Sequence, residues 1–143
     1  MELDGTSTEY ARTNLDLDDF TFGDDSNDSP FTFSAWVDMD DATEFPIFSR
    51  FNNGGNSAYN YVYVFAVDDN DKLIIKCLDG PATDSSEGNF IACLSTGTMT
   101  AYQGSWAHFV ATYNGGGSSA GLNLYVNGAK LGSSDVQRLN AGS

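Results

Sequence analysis

The sequence predicts an all-β protein in which two antiparallel sheets stack as a jelly-roll sandwich. About nine to eleven short runs of β-branched and aromatic residues follow one another, separated by turns rich in Gly, Asn and Asp. Some of these runs are apolar on both faces, as strands between two stacked layers are. No stretch has a convincing helical period, and Glu, the helix former among the acids, accounts for only four of the 20 acidic residues.

The most informative stretch covers residues 104–132. Within it, Trp106–Tyr113 contains no charge and no proline, which predicts a largely buried strand. A Gly/Ser loop follows, and residues 122–126 then alternate apolar and polar side chains, as a strand does. The dipeptide Asn127-Gly128 tolerates positive φ and therefore predicts a tight hairpin, from which the chain returns.

Upstream of this stretch, further strands are predicted at residues 31–39, 45–51, 59–67, 72–78 and 90–94. The third of them is apolar on both faces, so we expect it at the centre of a sheet or with a sticky outer face. Short strands are also expected within residues 2–22. The chain has no internal repeat and no linker, which predicts a single domain over residues 1–143.

Three ordered motifs resemble the laminin-G-like group of the concanavalin A-like jelly rolls. The main one reads Trp106-x-His108-x-x-Ala111-x-Tyr113-Asn114-Gly115, then Leu122-x-Leu124-Tyr125-Val126-Asn127-Gly128. Upstream, Phe31-Thr-Phe-Ser-Ala-Trp36-Val37 is similar to the early core strand of the group, and Leu3-Asp4-Gly5-Thr6 to its first strand and turn. The resemblance implies a concanavalin A-like sandwich over most of the chain.

In that group the chain continues past the Asn-Gly hairpin with strands that close the sheets. Here residues 133–143 are polar, and no run in them is predicted to be a strand. The domain is therefore expected to be incomplete at its C-terminus, either as a fragment or because another chain supplies the strands. An unpaired sheet edge invites strand addition, so we expect a partner chain at the C-terminal edge.

Charge and hydropathy exclude several classes of protein. The net charge is −14, and the six basic residues are scattered, so no basic patch can form for nucleic acid or for an anionic membrane. No apolar run approaches the length of a membrane-spanning helix. The first residues do not resemble a signal peptide, so we expect either that Met1 is not native or that the protein leaves its cell by another route, such as inside a virus particle.

Catalytic patterns are weak, and the sequence predicts that the protein is not an enzyme. Related glucanases place a Glu-x-Asp-x-x-Glu motif on one strand, but the nearest imitation here is Asp38-Met39-Asp40. The single histidine, His108, lies in an apolar strand, where a hydrogen-bonded histidine of the sheet is expected rather than a general base.

Calcium is the expected cofactor. Three loops are rich in Asp and Asn, the residues that supply oxygen ligands to Ca²⁺, at 24–28, 38–41 and 68–71. The resemblance adds weight, because laminin-G-like and pentraxin-like relatives bind calcium on loops at one rim. The predicted ligands are Asp4, Asp24, Asp25 and Asp28. The alternative is that these acids only solvate turns.

Two further features of the sequence allow more than one interpretation. Cys77 and Cys93 fall in neighbouring predicted strands and either form a disulfide or stay free buried thiols. Trp36, Tyr59, Tyr61 and Tyr63 are predicted as a ligand platform, since sugars stack on exposed aromatic rings. The alternative for each ring is a place in the core.

Taken together, these patterns predict a recognition module outside the cell or on a particle surface. Its partner would be a glycan or a glycosylated or other protein, bound with the help of calcium. The alternative is a structural decoration or attachment domain of a virus or phage particle, whose ligand is its own assembly.

Overall fold

A computed structural model describes residues 22, 28–53, 58–79, 82–83 and 89–141. For residues 51–53, 58–62, 79 and 82–83 only the backbone is described. Within these ranges the chain forms two antiparallel sheets and two short 3-10 turns, and the described residues include no α-helix. None of them forms a helix long and apolar enough to cross a membrane.

The strands follow one another in chain order as β1 (Phe31–Asp38), β2 (Phe45–Asn53), β3 (Ala58–Val67), β4 (Lys72–Asp79), β5 (Ala82–Thr83), β6 (Asn89–Thr98), β7 (Trp106–Tyr113), β8 (Asn123–Val126), β9 (Ala129–Lys130) and β10 (Val136–Ala141). The 3-10 turns are Thr100–Tyr102 and Ser119–Gly121. One sheet has the order β1-β7-β8-β9. The other has the order β10-β6-β4-β3-β2, with β5 pairing β3. This architecture confirms the predicted all-β sandwich of two antiparallel sheets.

The core lies between the two sheets and follows from the period of two along each strand. In β7, Ala107, Phe109, Ala111 and Tyr113 are buried, while the residues between them are more exposed. Phe65 and Ile75, opposite each other in the second sheet, are fully buried in the same cluster. Burying a side chain of this size contributes about 1.5–3 kcal/mol, so this alternation holds the two layers together.

The β8–β9 hairpin confirms the predicted tight turn. Asn127 has φ 49° and Gly128 has φ 80°, the left-handed conformations that a two-residue hairpin needs. Val126 pairs with Ala129 directly across the turn. Among the described strands, the hairpin therefore places β9 at the edge of the four-stranded sheet.

The C-terminal segment corrects one prediction. Val136–Ala141 is a strand, β10, and pairs antiparallel with β6 from Val136 opposite Ser95 to Ala141 opposite Phe90. The sequence did not indicate this strand, because its residues are mostly polar. Its half-buried Arg138 forms hydrogen bonds with backbone carbonyls and so does not mark an apolar face. The Arg138 guanidinium donates to the carbonyls of Ser119 and Leu122, and Asn140 Oδ1 accepts the N–H of Ser119 at 2.9 Å.

Candidate functional site

The four-stranded sheet has an exposed outer face, formed by the side chains that alternate with its buried ones. In β1, the residues at 31, 33, 35 and 37 are half-buried and those between them are exposed. We call outer face the following residues: Thr32, Ser34, Trp36, Asp38, Trp106, His108, Val110, Thr112, Asn123, Tyr125 and Lys130. A pleated sheet holds such a row at fixed spacing, so the face is a rigid surface.

Two tryptophans distinguish this face from the rest of the described chain. Trp36 is 64% exposed and Trp106 is 65% exposed, and within the described ranges they are the exposed large apolar side chains. Trp36 lies opposite His108 and Trp106 lies opposite Asp38, so the two indoles occupy diagonal positions on adjacent strands. Such positions are about 7–8 Å apart at Cα, close enough for one ligand to touch both rings.

His108 supports the Trp36 ring. The imidazole stacks on the indole with ring centroids 4.9 Å apart and planes 20° apart. Its Nε2 is 2.8 Å from the Ser34 hydroxyl, and its backbone N–H donates to Asn127 Oδ1 at 2.8 Å. The stack and these hydrogen bonds hold His108 against one side of Trp36, as expected for a hydrogen-bonded sheet histidine.

Carboxylates gather where β1 ends, beside Trp106. Asp38, Asp40 and Asp41 are all exposed, and Asp41 Oδ1 accepts the N–H of Thr43 at 2.9 Å. The cation of the outer face, Lys130, lies on β9 opposite Tyr125 and three strands away from β1. The Trp106 end of the face is therefore acidic and the β9 side carries one positive charge.

The predicted ligand platform divides into three outcomes. Trp36 lies on an exposed surface with Ser34 and Asp38, as the strand pattern indicated, and its contact with a ligand stays a prediction. The side chains of Tyr59 and Tyr61 lie outside those that the structure describes.

For Tyr63 the surface role is wrong, because the residue is only 2% exposed. Its ring packs on Phe48 with centroids 5.7 Å apart and on Phe33 at 4.9 Å. Burial raises the pKa of the Tyr63 phenol, and the charge of Arg50 opposes that rise. A ring enclosed between the sheets offers no surface on which a sugar could stack.

Of the predicted calcium ligands, Asp4, Asp24 and Asp25 lie outside the described residues. Asp28 is described, and its Oδ2 accepts the hydroxyl of Tyr113, whose oxygen also accepts the Gly117 N–H at 2.7 Å. Burial, followed by the hydrogen bond to Asp28, raises the pKa of Tyr113 to about 12. Among the described residues, no group of three or more His, Cys, Asp or Glu side chains is arranged to hold a metal ion.

The other acidic loops have structural partners in the part of the chain that is described. Asp68 Oδ1 accepts the N–H groups of Asn70 and Lys72, each at 2.9 Å, which orders the β3–β4 turn. Asp71, with φ 60°, accepts the Thr43 hydroxyl at 2.7 Å. These hydrogen bonds give Asp68 and Asp71 a structural role that requires no bound metal ion.

Cys77 and Cys93 lie on antiparallel neighbours, β4 and β6, but two residues out of register. Cys77 is opposite Ile91 and Cys93 is opposite Ile75. Both are free thiols, and diagonal Cα atoms about 7–8 Å apart exceed the usual reach of a disulfide. Burial, then the charge of Asp28, raises the pKa of the Cys77 thiol to about 12.

Sequence reasoning missed Trp106 as a surface residue, because the apolar run around it predicted burial on both faces. The alternation along the strand could have identified it. Trp106 lies on the same face as His108, and Ala107 and Phe109 point to the opposite, buried face. For Tyr125 the alternation of residues 122–126 indicated its face correctly, but not that this face continues the one that carries Trp36 and Trp106.

Comparison with known proteins places the chain by sequence. A laminin-G-like family model, described as the concanavalin A-like lectin/glucanases superfamily, matches residues 7–142. Searches of curated proteins and of solved structures give no match. Because the family match spans nearly the whole chain and the fold is the two-sheet sandwich, the protein belongs to the concanavalin A-like lectin/glucanase superfamily.

Proposed function

We propose that this protein is a non-catalytic recognition module that binds a glycan on its outer face. The observation that carries the proposal is the pair of exposed tryptophans, Trp36 and Trp106, on adjacent strands of one sheet. Exposed aromatic rings on a rigid scaffold are favourable platforms for the apolar faces of sugars, and they lose little conformational entropy on binding.

Hydrogen-bonding groups surround the two rings and supply the polar half of sugar recognition. Ser34 and Asp38 flank Trp36 along β1, and Asn123 and Tyr125 extend the surface across β8. A sugar that stacks on Trp36 therefore meets hydroxyl and carboxylate groups at its edges, and a longer glycan that crosses the sheet would reach the amide and phenol groups on β8. This combination of apolar platform and a few polar groups is the usual composition of a ligand site.

The arrangement of carboxylates supports binding rather than glycoside hydrolysis. Hydrolysis needs two carboxyl groups flanking the scissile bond. Asp38 is the one carboxylate among the outer-face residues, and the chain leaves the strand just after it. Asp40 and Asp41 follow in the turn beyond the strand, so the paired strands of the described face hold one carboxylate where the reaction needs two on either side of the bond.

A glycan array probed with the whole chain tests the proposal, followed by titration with the best ligand. Trp36→Ala and Trp106→Ala should each weaken binding about tenfold or more, because a lost central contact of about 1.4 kcal/mol corresponds to a factor of ten. Gln137→Ala, an exposed site on β10 of the other sheet, is the matched control and should bind as wild type. Equal affinity of all variants would refute the platform.

We also propose that calcium binds Asp4, Asp24, Asp25 and Asp28. The support is the density of oxygen ligands in this part of the sequence. Calcium at about one hundred times its Kd should stabilise the fold by about 2.7 kcal/mol and raise the melting temperature, and a chelator should reverse the effect. Magnesium at the same concentration is the control, and an unchanged melting temperature with calcium would end the proposal.

A second candidate function is structural, as a decoration or attachment domain of a virus particle or another surface assembly. The net charge of −14 favours it, as does the position of β10 at the edge of the sheet formed by the described strands, where a partner chain could add a strand. In that case no glycan binds, and light scattering shows association that increases with concentration. Both candidates place the protein outside the cell or on a particle surface.

A further inference from the structure

We propose that the glycan recognised by the outer face carries protonated amino groups, as partly or fully deacetylated amino sugars do. This inference rests on the proposed function and names the charge class of its ligand. It starts from Asp38 and Trp106, which lie directly opposite each other on β1 and β7, both exposed to solvent. Directly opposed Cβ atoms are about 4.5–5.5 Å apart, so a carboxylate stands beside an open indole.

A carboxylate next to an aromatic face suits an ammonium group. The ring attracts a cation through its quadrupole, and the carboxylate adds a charge-assisted hydrogen bond. A sugar stacked on Trp106 would present a substituent at its edge, where Asp38 is placed. A neutral hydroxyl gains less from this pair, and a carboxyl or sulfate group is repelled by Asp38.

The wider charge distribution favours the same ligand. Asp40 and Asp41 are exposed immediately beyond Asp38, and the whole chain carries a net charge of −14. A field of this sign raises the local concentration of cationic polymers and opposes anionic ones within about 10 Å at moderate salt. Lys130 is the opposing charge on the face, and it lies on β9, at the side of the sheet away from β1.

Two hexasaccharides that differ only in acetylation provide the test. Oligomers of glucosamine and of N-acetylglucosamine have the same backbone, and at neutral pH the first carries several protonated amines. By calorimetry at about 50 mM salt, the glucosamine hexamer should bind about tenfold more tightly, and the difference should shrink at about 300 mM salt as charges are screened.

Two variants assign the preference to the face. Asp38→Asn should remove most of the preference for the glucosamine hexamer, because the amide still offers hydrogen bonds to either oligomer but no charge to an ammonium group. Asp69→Asn makes the same change of net charge at the exposed β3–β4 turn of the other sheet and should leave the preference intact. Melting temperatures of both variants report on their folding.

The outcomes separate this inference from the proposed function. If the acetylated hexamer, or an anionic glycan on the array, binds as tightly as the glucosamine hexamer, the charge class is refuted while glycan binding stands. If no glycan binds, or if a glycan binds Trp36→Ala and Trp106→Ala as tightly as wild type, the proposed function fails instead. A preference that persists in Asp38→Asn would also overturn the inference, because the selectivity would then arise elsewhere.

Discussion

Arg138 shows how one polar residue ties a strand to a loop. Its guanidinium donates to the carbonyls of Ser119 and Leu122, which belong to the connection between β7 and β8. The connection links two strands of the four-stranded sheet, whereas Arg138 lies on β10 of the six-stranded sheet. The residue therefore links the two layers by hydrogen bonds beside the buried side chain of Leu122.

Replacing Arg138 with Met should lower the free energy of unfolding by about 1–3 kcal/mol, because the carbonyls of two buried residues lose the guanidinium donor and Ser119 keeps only the Leu122 N–H at 3.1 Å. Chemical denaturation monitored by tryptophan fluorescence measures the change. Gln137→Met, the neighbouring exposed site on the same strand, is the control and should change stability by less than about 0.5 kcal/mol. Equal effects of the two substitutions would show that the hydrogen bonds contribute nothing.

At the residue scale, the sequence predicts side-chain orientation well where strands alternate and poorly where they are apolar throughout. The alternation in β1 correctly puts Trp36 on a face with Ser34 and Asp38. Tyr63 belongs to a strand that is apolar on both sides, and composition alone could not show which of the two faces packs between the sheets.

At the element scale, turns with special backbone geometry are the most predictable features. Asn127-Gly128 encodes its hairpin locally, because few other residues adopt positive φ at low cost. β10 was not predictable, since it is a strand by virtue of its pairing with β6 and its hydrogen bonds to the 119–122 loop. Such partners are distant in sequence, and no local pattern in residues 133–143 reports them.

The β8–β9 turn allows a test of backbone geometry without interference from packing. A Cβ at Gly128 would meet no atom within 4 Å, but the residue has φ +80°. Gly128→Ala should therefore destabilise the protein by about 1 kcal/mol through backbone strain alone. Thermal unfolding followed by circular dichroism gives the measurement.

Gly97, near the end of β6, is the matched control for that substitution. A Cβ there also meets no atom within 4 Å, and its φ lies outside the strained region. Gly97→Ala should leave stability unchanged or raise it by about 0.4–1 kcal/mol, because Ala restricts the unfolded chain. If both substitutions had the same sign, positive φ would not be the cause.

At the scale of the whole molecule, the sandwich encloses ionisable groups that must stay neutral. Cys77, Cys93, Tyr63 and Tyr113 all have a pKa raised chiefly by burial. For Cys77 the folded pKa is about 12, against an ordinary value of 9.0. Each group is uncharged when protonated. Ionising it in the interior would cost the hydration energy of the charge, so burial favours the protonated form.

The consequence for stability has a definite sign. The folded state holds the Cys77 proton more tightly than the unfolded state does. The stability that depends on this neutral thiol is therefore fully present below about pH 9 and is lost between about pH 9 and pH 12. Stability should therefore fall as pH rises through this window, by as much as about 1.4 kcal/mol per pH unit for each such proton.

Cys77→Val tests this account, because valine fills a similar volume and cannot ionise. Urea unfolding at several pH values from about 8 to 11 should give a shallower loss of stability for the variant than for wild type, since one of the titrating groups is gone. Parallel profiles would mean that Cys77 ionises equally easily in both states. In that case ionising the buried Cys77 thiol would cost nothing. The loss of stability at high pH would then come from the buried tyrosines, and the same measurement on Tyr113→Phe tests this.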